Sequence, residues 1–272
     1  MTELFQYTFF QNAIAGCILT GIVCGLIGTY IVACRKVFIA GGIAHASLGG
    51  VGLGIWLGFS PIVGASIFAL ITGCSVQTLS RRKEIREDSA IAMLWALGMS
   101  IGILCAFMTP KFLPDLSGYL FGNILFINHS DLYFLGALSI IIIGIFYIFM
   151  PKIVSVAFDP TFARSQGISV TRWGYVMATL TALAVVASLR TAGIVMVISL
   201  LSIPQMTANL ITRDFSKIAI LSVFLSIFCC LSGLMCSYLI GVPSGATIIL
   251  VSIFIYAIVR TIKNIFGGFI NR

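Results

Sequence analysis

The stretch Ala40-Gly41-Gly42-Ile43-Ala44-His45-Ala46-Ser47-Leu48-Gly49-Gly50-Val51-Gly52-Leu53-Gly54 carries no charged residue, little bulk and one ionisable ring, and apolar sequence flanks it on both sides. Gly42, Ala46, Gly50 and Gly54 recur every four residues, which places them on one face of a helix. Such a face lets helix backbones approach closely in lipid, where packing rather than burial from water drives association. It can equally let helices slide past one another or line a path. An imidazole at bilayer depth is costly unless it meets a partner or faces a wet route, so His45 is a candidate functional residue.

Working outward, the composition sets the class. Of 272 residues, 60% are hydrophobic and 9% charged, with mean hydropathy +1.13; a soluble domain carries about a quarter charged residues. Apolar runs of about 20 residues, enough for a helix to cross the hydrocarbon, recur at 12–34, 38–58, 61–79, 89–109, 132–150, 174–190, 193–211, 217–240 and 245–262. The expectation is an all-α integral membrane protein, a bundle of about nine transmembrane helices with eight as the alternative, forming a single polytopic domain over 1–272. A second small-residue pair, Gly21 and Gly25, has the same spacing.

Charge orients the bundle. With odd-numbered spans running inward, every one of the 16 basic residues except Lys111 and Arg190 falls on the cytoplasmic side, which by the positive-inside rule puts the N-terminus outside and the C-terminus in the cytoplasm. The formal charge of +8 is thereby explained by topology, and without interleaved aromatics it does not indicate a nucleic-acid partner. Met1–Asn12 has Glu3 and no Lys or Arg, so it lacks the basic start of a cleavable signal and is expected to be retained; Phe5–Phe10 suits a short interfacial helix. The eight cysteines all lie in apolar runs without the paired spacing of a disulfide framework or zinc knuckle.

Three further segments stand out. Between Pro110 and Asp131 the apolar core 116–127 is too short to span and reads as a re-entrant or surface helix on the outer side. Pro204, with Gln205, Thr207 and Asn209 close by, interrupts the seventh span and makes it polar, which suits a kink or a solvated lining. In the longest cytoplasmic connection, Asp159 at a cap, Pro160 in a first turn and Gly167 at a stop define a helix of about two turns within 158–168. It is either a capped connector or a docking element for a soluble partner.

These stretches resemble the permeases of metal-ion ABC transporters. The likeness runs from about Cys17 to Arg260 through the His45 segment, Arg86-Glu87-Asp88-Ser89-Ala90-Ile91, Tyr119-Leu120-Phe121-Gly122-Asn123-Ile124-Leu125, Phe158-Asp159 through Ala163 to Gly167, Ile203-Pro204-Gln205-Met206-Thr207-Ala208 and Pro243-Ser244-Gly245-Ala246-Thr247. The resemblance implies an ABC-3 or cobalamin-type importer permease fold, in the plasma (inner) membrane of a prokaryote. It implies a coupling helix, with Asp159, Ala163 and Gly167 as its marked positions, seated in the groove of an ABC ATPase subunit. It also implies a permease homodimer and an extracytoplasmic metal-binding protein. The chain has no G-x-x-x-x-G-K-[ST] loop, so it is expected to be a transport subunit without its own catalysis or cofactor, with ATP on the partner and a divalent metal as cargo.

In that family an aspartate commonly stands four residues before the histidine, pairing an oxygen with a nitrogen ligand. Gly41 holds that place here. Other ligands would then come from elsewhere, and Cys229, Cys230, Met235 and Cys236 are the soft candidates, with plain packing as the competing role. His129 and Asp131 lie in the outer segment, and Glu87 with Asp88 suit the start of the fourth span as structural acids. The expected function is import of zinc, manganese or ferrous iron, with a metal chelate as the alternative cargo. An ion-coupled carrier working alone is disfavoured, because every Asp and Glu falls outside the expected spans.

Overall fold

The computed structural model describes residues 7–80, 86–109, 122 and 127–270. These residues form α1 (Thr8–Ala33), α2 (Val37–Leu57), α3 (Pro61–Leu79), α4 (Glu87–Met108), α5 (His129–Phe158), α6 (Pro160–Ser165), α7 (Val170–Leu200), α8 (Ile203–Ile211), α9 (Phe215–Ile240) and α10 (Ser244–Ile270), with no strand among them. Among the described residues nine segments are long and apolar enough to cross a membrane, because α7 and α8 together supply two, Val170–Leu189 and Thr191–Ile211. The fold is therefore all-helical and polytopic, as the apolar runs require.

Local chemistry explains the ends. Gly58 and Gly241 take φ of 78° and 73° after α2 and α9, the left-handed geometry that closes a helix and that glycine adopts without steric cost. Pro61 opens α3, where its missing N–H is no loss. Glu87 and Asp88 occupy the first turn of α4, facing the positive end of the helix dipole. Asp214 caps α9 by accepting from the backbone N–H of Ser216 at 2.9 Å and of Lys217 at 3.3 Å.

The small-residue stripe of α2 lies between α3 and α4. A Cβ at Gly49 would sit 2.6 Å from the Gly98 carbonyl oxygen, and Gly50 and Gly64 meet backbone to backbone on the other side. Gly25 likewise admits Val223 of α9 to the backbone of α1, where a Cβ would stand 2.6 Å from its Cα. Contacts this close bring many carbon atoms into dispersion range without any cost of burying polar groups.

Two expected boundaries move. α1 begins at Thr8, so Tyr7–Phe10 run into the first span instead of ending a separate surface helix; Phe5 and the signal-related residues before it lie outside the described residues. α5 does not end near residue 150 but continues to Phe158 across a kink at Phe149 (φ −113°, ψ 16°). Pro151 removes one backbone donor yet bends the helix rather than stopping it. Most of the short apolar core at 116–127 lies outside the described residues. Gly122 and Ile127 do not: Gly122, at φ 65°, has its backbone against Ala192 and Gly193, and Ile127 reaches Gly16 of α1.

The loop expected between the sixth and seventh spans is a reversal at Gly193 (φ 70°, ψ 163°). Thr191 meets Thr20 at 3.2 Å, in the middle of α1, whereas the Ile198 side chain reaches Gly41, at the start of α2. The chain therefore rises to Ala192 and returns toward the end of the bundle that holds Lys36 and Lys263.

Candidate functional site

His45 stands on α2, half-buried, with its ring flat against the indole of Trp95 on α4: the centroids are 4.1 Å apart and the planes 7° from parallel. The stack is possible because Gly49 and Gly98 bring these two helices together. The Trp95 ring is itself tethered, its N–H donating to Met99 Sδ one turn along α4. Nδ1 of His45 is buried and has no hydrogen-bond partner, so no protein group competes for it. Gly41 lies one turn below, and a Cβ there would meet only Ile198, at 3.6 Å. A Cβ therefore fits at this buried position in ordinary van der Waals contact. Between α3 and α4, a cavity of about 570 Å³ is lined by Ile71, Cys74, Ser75, Thr78, Leu79 and Leu94, the last adjacent in sequence to Trp95.

The soft side chains of α9 are elsewhere. α9 packs on α1, α10 and α8, whereas α2 packs chiefly on α3, α4 and α7. Cys229 lies beside Ser252 of α10 and Cys230 beside Cys17 of α1, so the two neighbouring thiols point to different helices. Met235 is packed against the core, and Cys236 is half-buried as a free thiol. Among the described residues no group of three or more His, Cys, Asp or Glu is arranged to hold a metal ion. His129 is exposed and Asp131 closes a capping box with Asn128 at the start of α5.

Pro204, Gln205 and Thr207 surround a break in the hairpin, where Leu201 and Ser202 separate α7 from α8. A helix through this point would need an N–H at residue 204 to pair the Leu200 carbonyl, and proline has none. Gln205 Nε2 supplies it at 3.0 Å and also donates to the Cys24 carbonyl at 2.9 Å. Thr207 donates to Ile203 O at 2.9 Å. Gln205 is fully buried, and its amide staples the break to α1.

At the basic end of the bundle, Asp159 accepts from the backbone N–H of Thr161 at 3.0 Å and of Phe162 at 2.9 Å, and from the Thr161 hydroxyl. The Phe162 N–H and the Thr161 hydroxyl hold its carboxyl below the usual carboxylate range. α6 follows, and Gly167 at φ 75° ends it in open space. Ala163 is wholly buried and seats the helix against the bundle, while Phe162, at 53% exposure, and Arg164 face outward. Sequence reasoning marked Ala163 and not Phe162, because a six-residue helix offers too little periodicity to assign its faces. Trp95 was missed for a related reason: nothing local pairs α4 with His45.

The class these features define is a polytopic helical permease with a short capped helix at its basic end. Residues 6–263 match the ABC 3 transport family, and the chain belongs to that family. It is 38% identical over 258 residues to the uncharacterized membrane protein slr2045 of Synechocystis, covering 95% of this chain and 92% of that one. It is 32% identical over 256 residues to the manganese transport system membrane protein MntC of Halalkalibacterium halodurans, covering 94% and 88%. The solved structure of PsaBC from Streptococcus pneumoniae in complex with Fab superposes with a TM-score of 0.85 at 27% identity, over 95% of this chain and 93% of its counterpart.

Proposed function

We propose that this chain is the membrane-spanning subunit of an importer for a divalent transition metal, with Mn²⁺ ahead of Zn²⁺ and Fe²⁺. The observation that carries the reading is the unpartnered Nδ1 of His45 on the small-residue helix α2, in a chain 32% identical to a manganese transport system membrane protein. Two copies form the pathway, and a separate ABC ATPase subunit seats α6 in its groove. An extracytoplasmic metal-binding protein delivers the ion to the face opposite the basic end. In this arrangement the basic end and the C-terminus are cytoplasmic and the N-terminus is outside, in a prokaryotic inner membrane, as the positive-inside rule favours. ATP binding and hydrolysis on the partner bias inward- against outward-facing arrangements through α6.

The test is uptake by proteoliposomes holding the permease with its ATPase and binding protein. Accumulation of radioactive Mn²⁺ that needs ATP and is lost in His45→Ala at equal reconstitution supports the reading. Uptake of a metal chelate with no uptake of free ion would replace the cargo, and uptake that continues without the ATPase would replace the mechanism with that of a self-sufficient carrier.

A further inference from the structure

We propose that Trp95 is a positioning residue for the cargo ion, acting through His45; this rests on the role just given to His45. A stacked pair 4.1 Å apart and 7° from parallel fixes the plane of the imidazole. The tether from the Trp95 N–H to Met99 Sδ fixes the indole in turn. Flatness of this kind is what a single-nitrogen ligand needs, because the Nδ1 lone pair lies in the ring plane and any rotation about the side chain sweeps it off target. The second effect is electrostatic. An imidazole that coordinates a divalent ion takes on positive character, and the indole face is the most electron-rich surface a side chain offers to a positive group.

Gly41 gives this pair its importance. One turn below His45 a glycine stands with no carboxylate, so neither charge nor a second ligand from that position orients the ion. Trp95 supplies from α4 part of what such a carboxylate would supply: a fixed ring and a favourable potential. It contributes no ligand atom, since the indole N–H is a donor only and offers no lone pair to a metal.

Trp95 also supplies the probe for its own test. The other tryptophans, Trp56 and Trp173, are replaced by phenylalanine, and the full chain is reconstituted in nanodiscs with the ATPase. Titration with ZnCl₂, a closed-shell probe, is expected to change Trp95 emission saturably, and His45→Ala is expected to abolish the change. In transport, Trp95→Leu is expected to raise KM for Mn²⁺ about fivefold with little change in kcat, as loss of a cation–π contact predicts, and Trp95→Phe to recover most of that loss. If His45→Ala stops transport while Trp95→Leu keeps the wild-type KM, or Trp95→Phe is no better than Trp95→Leu, the positioning role is wrong and the reading of His45 stands. If His45→Ala transports normally, the underlying reading fails as well. Emission that stays constant at saturating Zn²⁺, in protein whose transport depends on His45, also overturns the proposal.

Discussion

At the residue scale, the deciding contrasts are between neighbours whose composition looks equivalent. Gly41 and Gly49 lie on the same helix, yet a Cβ at Gly41 would find Ile198 at an ordinary 3.6 Å, whereas one at Gly49 would sit 2.6 Å from the Gly98 carbonyl. Gly41→Asp should therefore fold and place a carboxylate one turn from His45, tightening metal binding; calorimetric titration of the reconstituted chain with MnCl₂ checks this, and weaker binding would show that position 41 does not face the ion. Gly49→Leu should instead force α2 and α4 apart, at a cost of about 1–3 kcal/mol for overpacking, read as a lower unfolding midpoint in detergent. Gln205→Leu should cost about 1–3 kcal/mol as well, by stranding the Leu200 carbonyl and breaking the link to the Cys24 carbonyl. Neither the collision at Gly49 nor the staple at Gln205 is visible along the chain, because both depend on what a different helix presents.

At the scale of elements, α6 and the broken hairpin illustrate how far local signals reach. The Asp159-Pro160 start and Gly167 stop belong to the helix they enclose, so α6 was legible in the sequence. Its faces were not, and the structure turns Ala163 inward and Phe162 outward. Phe162→Ala with Arg164→Ala should leave the permease in the membrane but reduce co-purification of its ATPase; full co-purification would move the docking surface away from α6. Gly167→Trp, which meets no neighbour but strains a φ of 75°, should act in the same direction. Hydrogen bonds from the Phe162 N–H and Thr161 favour the charged form of Asp159, so its folded pKa lies below the ordinary value for an aspartate. The resulting stabilisation is complete above that value and is lost as pH falls through the lower folded pKa. Protection of the α6 amides from hydrogen exchange should thus be flat around neutrality and fall only in strong acid, and Asp159→Ala should lower it wherever Asp159 is charged. α5 shows the opposite case, in which the helix runs past the end of its apolar stretch near residue 150 to Phe158, with Pro151 inside it and a kink at Phe149.

For the whole molecule, apolar run length and basic-residue asymmetry suffice to define a many-span helical bundle, because every spanning segment must satisfy its backbone internally and the hydrocarbon sets its length. A C-terminal reporter should be active only in the cytoplasm, and an active reporter outside would invert the topology inferred from charge. The sequence by itself determined the helical membrane class, the number of spans, the capped helix at the basic end and the candidacy of His45, since each follows from composition or from residues a few positions apart. Only the tertiary structure decided that Trp95 lies flat on His45, that Cys229 and Cys230 turn to different helices, and that Gln205 repairs the carbonyl Pro204 leaves open. Those outcomes rest on contacts between different helices, where helix packing in three dimensions, and not local spacing, selects the partner.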